Sequence, residues 1–164
     1  MSTRLIHGRW VALHPGSTEI MKTLDQEFED HLANSADKLN FQIYDRDWNA
    51  NQWSGSIKLR NDQLRIELYC ERGLLSLNIS PQTGKENFID AELLNSYLTL
   101  QEETEQLTKW ARKKIVNRRI GLDEQVNLLT SKRTNLEQIF SKKQLKKTLK
   151  ELQQLGEERF NNSL

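Results

Sequence analysis

The chain has 164 residues, 36% hydrophobic and 29% charged, with a formal net charge of +1. That profile belongs to a soluble, polar-surfaced protein long enough to bury a core, and no apolar run approaches membrane-spanning length. A single cysteine, Cys70, excludes an intrachain disulfide framework and fits a reducing cytoplasm.

In chain order, Arg4, His7 and Arg9 interrupt the first residues, so no apolar signal core is expected there. Residues 4–14 read as one short strand holding Trp10, Val11 and Leu13, ended by Pro15-Gly16. Ser17 or Thr18 can cap a helix in which Ile20, Met21, Leu24, Phe28 and Leu32 follow helical spacing. Asp25, Glu27, Glu29 and Asp30 lie on its other side. Leu39, Phe41 and Ile43 then alternate with Asn40, Gln42 and Tyr44, the period of a strand.

The middle of the chain carries the firmest structural signal. Asn61-Asp62 can occupy the centre of a tight hairpin, which sets Leu59 opposite Leu64 and Ile57 opposite Ile66. A second turn at Arg72-Gly73 sets Cys70 opposite Leu75, Leu68 opposite Leu77 and Ile66 opposite Ile79. Both registers place apolar residues on one shared face, and a one-residue slip would destroy that agreement. A three-stranded antiparallel meander is therefore expected. Its other face carries Ser54, Ser56, Lys58, Arg65, Glu67, Tyr69, Ser76 and Asn78, either as a solvated surface or as a flat recognition surface. Cys70 falls on the apolar side and reads as a small core residue.

After Pro81 the pattern turns helical. Asp90 can cap a helix containing Leu93, Leu94, Tyr97 and Leu98. Glu102, Glu103 and Glu105 lead into Leu107, Trp110, Ala111 and Ile115 and then a basic run, as expected for a helix with acids early, bases late and Gly121 as its stop. Asp123 can cap the next helix, with Val126, Leu128, Leu129, Leu136, Ile139 and Phe140. Farther on, Leu145, Leu149 and Leu152 share a stripe opposite Lys143, Lys146, Lys147 and Lys150. Ser141 and Gln144 form a capping-box pattern, so a break near 141 and a final helix to about Phe160 are expected.

The small net charge conceals an asymmetry. Residues 1–105 carry 10 Lys+Arg against 17 Asp+Glu, whereas residues 106–164 carry 14 against 6. Such a split implies complementary halves that meet, within a chain or between chains, or two surfaces with different partners.

No nucleophile elbow, phosphate loop or dinucleotide fingerprint is present, and His7, His14 and His31 are scattered. No enzymatic role, metal or other cofactor is expected. The candidate partner-binding residues are Asp25, Glu29 and Asp30 on the first helix, Tyr44, Asp45, Asp47, Trp48 and Trp53 in a polar, aromatic loop segment between two strands, and Glu67 and Tyr69 on the meander. The alternate carboxylates of Asp45 and Asp47 could also hold a divalent ion, or form a local ion pair with Arg46.

The order helix, FQIYDRDW, QWSGSIKL–LRIELYC–LLSLNIS meander, FIDAELLNSYL helix over residues 24–100 resembles small bacterial immunity proteins of contact-dependent and other polymorphic toxin systems. The resemblance implies a cytoplasmic, non-enzymatic protein that binds and neutralises one cognate toxin, a basic one being suited to the acidic helix face. The same texture is similar to type III secretion chaperones. A further alternative is a nucleic-acid-binding accessory protein using the basic C-terminal helices, which could equally form a homodimer. The expected fold is α+β: a largely antiparallel sheet with an N-terminal helix packed on it over residues 1–100. A helical region, 101–164, packs on it or extends from it within one structural unit.

Overall fold

Two turns of different chemistry set the register of the central sheet. The structure, a computed structural model, describes residues 2–6, 9–13, 23–49 and 51–164. Arg72 and Gly73 both have positive φ (51° and 81°), the conformation that a two-residue hairpin connection needs. They join β5 (Leu64–Glu71) to β6 (Leu74–Pro81), with Ile66 opposite Ile79, Leu68 opposite Leu77 and Cys70 opposite Leu75, as expected.

The other turn is displaced by one residue. Asn61 stands before the turn and its Oδ1 accepts from the amides of Gln63 and Leu64, at 3.0 and 2.9 Å. Its side chain is thus used at the first turn position, not its tolerance of positive φ. The centre moves to Asp62-Gln63, so β4 (Ser54–Arg60) pairs Leu59 with Ile66 and Ile57 with Leu68, correcting the expected partners. The register changes by two residues, an even number, so every side chain keeps its face.

The sheet has five antiparallel strands in the order β3-β4-β5-β6-β7, with β3 (Gln42–Asn49) and the two-residue β7 (Ile89–Asp90) at its ends. A separate hairpin pairs β1 (Ser2–Ile6) with β2 (Arg9–Leu13), two strands where one was expected. Pro15, Gly16, Ser17, Thr18, Ile20 and Met21 lie outside the described residues.

The first described helix, α1 (Leu24–His31), is capped by Thr23: its hydroxyl accepts from the Gln26 amide, and the Gln26 side chain accepts from the Thr23 amide at 2.8 Å. This reciprocal box marks the helix start at Thr23. A short α2 (Ala33–Lys38) follows. Its end explains why the Leu39–Ile43 alternation was misleading. Asn40 adopts φ 56° and the Phe41 amide donates back to the Ala36 carbonyl at 2.8 Å, a left-handed helix stop. Leu39 and Phe41 therefore pack as helix-cap residues, and the strand begins only at Gln42.

The helices after β7 differ from expectation in their boundaries. Asp90 caps α3 (Ala91–Glu102) through the amides of Glu92 and Leu93. The acidic run closes α3 and crosses a connection; α4 (Lys109–Val116) begins afresh under a Thr108 cap and has no acid in its first turn. Gly121 does not stop it but stands at the N-cap of α5 (Leu122–Ser131), with Asp123 inside the first turn. A break at Lys132, which was not expected, separates α6 (Arg133–Ile139). The break near 141 is present and α7 (Leu145–Asn161) follows it. No capping box forms there: the Ser141 carbonyl accepts from Gln144 and Leu145, and the Thr148 hydroxyl ties back to the Ile139 carbonyl at 2.9 Å.

One buried apolar cluster runs through all of these layers. Ile57, Leu59, Ile66, Leu68, Leu77 and Ile79 of the sheet join Leu24, Phe28 and Leu32 of the first helices, Leu94 and Leu98 of α3, Leu128 and Leu129 of α5, Leu136 of α6, and Leu152 and Leu155 of α7. Each such side chain contributes ~1.5–3 kcal/mol by leaving water. Among the described residues Glu27, Ser80, Ser96, Gln125 and Thr148 are the buried polar side chains, and Gln125 binds the sheet directly. Buried in α5, it accepts from the Leu77 amide at 2.8 Å and donates to the Ile120 carbonyl at 3.1 Å. It completes the hydrogen bonding of β6 on the side away from β5.

The charged halves meet inside the chain. Glu92 takes Arg119 at 2.8 Å, Arg159 at 3.4 Å and the Ile120 amide at 3.0 Å, and Lys132 pairs with Glu102. Part of the sequence asymmetry is therefore spent on packing the C-terminal helices against the rest. Among the described residues, no helix is long and apolar enough to cross a membrane.

Candidate functional site

Strand periodicity carries four of the ten candidate residues onto one face of the sheet. Cross-strand pairing gives a first row of Asp45, Lys58, Glu67 and Asn78, and a second of Asp47, Ser56, Tyr69 and Ser76. An irregularity in β3 between Ile43 and Asp45 makes room for Tyr44 beside the first row. The helices pack on the opposite, apolar face, so these rows form the outer face of the sheet.

Lys58 is the centre of the first row. Its ammonium lies 3.4 Å from Glu86 and 3.6 Å from Asp45, and 5.6 Å from the centroid of the Phe88 ring. Partial burial opposes its charge, but Glu86, with Glu67 and Asp45, outweighs that and raises its pKa. Tyr44 donates to Glu86 at 2.6 Å, and Arg60 stacks over its ring. Burial and the Glu86 carboxylate push the Tyr44 phenol well above its ordinary range. The same hydrogen bond from Tyr44 is the main reason the Glu86 carboxyl lies below its ordinary value, with Lys58 adding to it. Glu67 accepts from Asn78 at 2.9 Å, and Arg65 donates to the Gly84 carbonyl at 3.1 Å.

The second row is less committed to internal bonds. Asp47, two strands from half-buried Tyr69 in that row, and Glu71, two residues beyond it on β5, are exposed, with exposed Leu74 opposite Glu71 at the hairpin end. Burial and the nearby Glu71 and Glu67 carboxylates raise the Tyr69 pKa. Counting Glu86 and Arg60, the face holds the acids Asp45, Asp47, Glu67, Glu71 and Glu86 against the bases Lys58, Arg60 and Arg65. Among these groups acids outnumber bases, and with its two phenols the surface can accept hydrogen bonds and cationic side chains from another macromolecule.

The other candidates lie elsewhere. Asp25 reaches Arg46 at 2.7 Å, tying α1 to the β3 edge, while Glu29 and Asp30 lie exposed on α1. Trp48 belongs to the row of Gly55 and Cys70, on the apolar side, where it packs against the core and meets Trp53 edge-to-face at 5.6 Å. The Trp53 carbonyl accepts from the buried Cys70 thiol at 3.4 Å. Gly55 lets the β3 backbone approach β4 closely beside this pair, since a Cβ there would stand 2.1 Å from the Asp47 carbonyl oxygen.

Glu86 and Glu71 were not among the sequence candidates. Glu86 sits in a connection whose course no periodicity reveals, but Glu71 follows Glu67 and Tyr69 at strand spacing and was open to the same reading. No family model, no curated protein and no solved structure matches this chain.

Proposed function

We propose that this chain is a non-enzymatic protein-binding protein that receives a basic partner on the outer face of its sheet, and that the partner is a bacterial toxin which it neutralises as an immunity protein. One observation carries the reading: the outer face orders Tyr44, Asp45, Asp47, Glu67 and Tyr69 into adjacent cross-strand rows and leaves Asp47 and Glu71 exposed around Tyr69. A hydrogen-bonded sheet holds these groups rigidly, which lowers the entropic cost of docking. Its acidic lean favours a cationic surface, such as that of a nuclease. The toxin assignment rests on the resemblance in element order.

The test is growth rescue. The toxin domain encoded beside this chain's gene is produced with and without the chain, and the two purified proteins are examined for a one-to-one complex. Rescue together with a stoichiometric complex supports the proposal. A neighbouring toxin whose lethality is unchanged, or the lack of any toxin gene there, overturns it.

A further inference from the structure

The most exposed large aromatic ring on a described helix lies far in sequence from the sheet. Trp110 of α4 is 68% exposed. Taking 100° per residue, Lys113, Lys114 and Asn117 fall within ~60° of it, whereas Ala111, Ile115 and Val116 lie ~100° or more away. The latter side packs inward: Val116 is fully buried, and the Ser96 hydroxyl of α3 donates to the Ile115 carbonyl at 2.9 Å. On the outward side, the Lys114 ammonium rests 4.3 Å from the centroid of the Trp110 ring. Lys113 is exposed, and Arg118 follows just past the helix, its pair with Glu124 a solvent-exposed 3.5 Å contact.

We propose that this outward face of α4 binds a short single-stranded nucleic acid, with Trp110 as the stacking platform for a base and Lys113, Lys114 and Arg118 as its phosphate contacts. An indole ring flanked by cations matches a ligand that alternates flat π-faces with negative charge. A basic helix serving only to balance its own dipole has no need of an exposed tryptophan. Arg112 and Arg119, by contrast, are engaged with Glu158 and Glu92 and hold the helix in place. This site is separate from the sheet face and independent of the toxin reading.

The experiment is fluorescence anisotropy of a labelled oligothymidylate 12-mer with the full chain, across a series of salt concentrations. The expected affinity falls with salt at a log–log slope of about −2, for about three phosphate contacts. Trp110→Ala weakens binding roughly 5- to 150-fold, the value of one lost base stack, while Trp110→Phe retains most of it. The variant carrying Lys113→Ala and Lys114→Ala flattens the salt slope. Because these side chains are exposed, the fold survives their replacement, and an unchanged circular dichroism spectrum verifies it. The absence of binding at low salt, binding indifferent to Trp110→Ala, or equal affinity for a glutamate 12-mer each overturns the proposal.

Discussion

The two faces of the central sheet are built from the same strands, yet they are held by opposite means. On the inner face, Ile57, Leu59, Ile66, Leu68, Leu77 and Ile79 are almost wholly buried and joined to the helices. On the outer face, Lys58, Glu67, Tyr69 and Asn78 are only partly buried and are matched in charge and hydrogen bonding. The difference teaches where each property of the molecule resides. Inner-face side chains stabilise by leaving water and filling space; outer-face groups contribute little to stability and much to the character of the surface.

The sharpest way to break this comparison is to truncate equivalent positions on opposite faces. Leu77→Ala is expected to cost ~2–5 kcal/mol in chemical denaturation, by lost transfer energy and a cavity. Its sequence neighbour on the outer face, Asn78→Ala, is expected to cost no more than ~1 kcal/mol. Equal costs would show that the outer face is as closely packed as the inner one.

Gly55→Ala probes the sheet where the faces meet at the edge. Its Cβ would meet the Asp47 carbonyl oxygen, so the strands must part, at ~1–3 kcal/mol by the same measurement. Gln125→Ala tests the polar plug of the inner layer at a similar scale, ~1–3 kcal/mol, since the Leu77 amide and the Ile120 carbonyl lose their partner. Gln125→Leu should not restore stability, because shape without hydrogen bonding leaves both groups unpaired. Full recovery by leucine would show that only packing matters there.

The phenols extend the comparison to pH. All three tyrosines of the chain, Tyr44, Tyr69 and Tyr97, have pKa values raised above 10.0. Burial and its 2.7 Å bond to Glu151 push Tyr97 up to about 12. A raised folded-state pKa stabilises fully below the unfolded value, and that stability is lost as pH rises through the folded one. The phenolate absorbance of the native protein should therefore rise later than that of the denatured chain, and conformational stability should decline above pH 10. A tyrosine titrating at its ordinary value in the native state would contradict the burial of that residue.

The smallest effect is expected at the outer-face hub. Lys58→Met removes contacts to Glu86 and Asp45 that remain partly solvated, and should change stability by ~0–1 kcal/mol.

The inner face was far more legible in the sequence than the outer one, and particular residues show why. Ile66, Leu68 and Cys70 alternate toward Gly73, whose freedom at positive φ marks the turn, so faces and register followed together. At Asn61 the same residue type served a different end: its side chain capped the turn, and only the even size of the resulting shift preserved the faces. Asn40 misled more seriously, because a left-handed helix stop flanked by Leu39 and Phe41 imitates strand alternation. Gln125 was hidden among Val126, Leu128 and Leu129, although a glutamine on the buried side of an apolar stripe signals an unmet backbone partner. On the outer face, Glu67 and Tyr69 were legible as exposed strand residues, whereas the segment from Tyr44 to Trp53 read as a loop between two strands; the residues up to Asn49 instead continue β3, and their gathering around Lys58 depends on Glu86 and on the irregularity in that strand. Neither has a periodic signature.

The central proposal is that a basic toxin docks on the outer face of the sheet. The most direct measurement is calorimetric titration of any toxin domain found encoded beside this chain's gene with the wild-type chain and with a variant carrying Asp47→Lys and Glu71→Lys. Both substituted side chains are exposed, so the thermal unfolding midpoint should be nearly unchanged. The account predicts one-to-one binding by the wild type and at least a tenfold loss, about 1.4 kcal/mol, in the variant. Undiminished binding by the variant would place the interface elsewhere and contradict it.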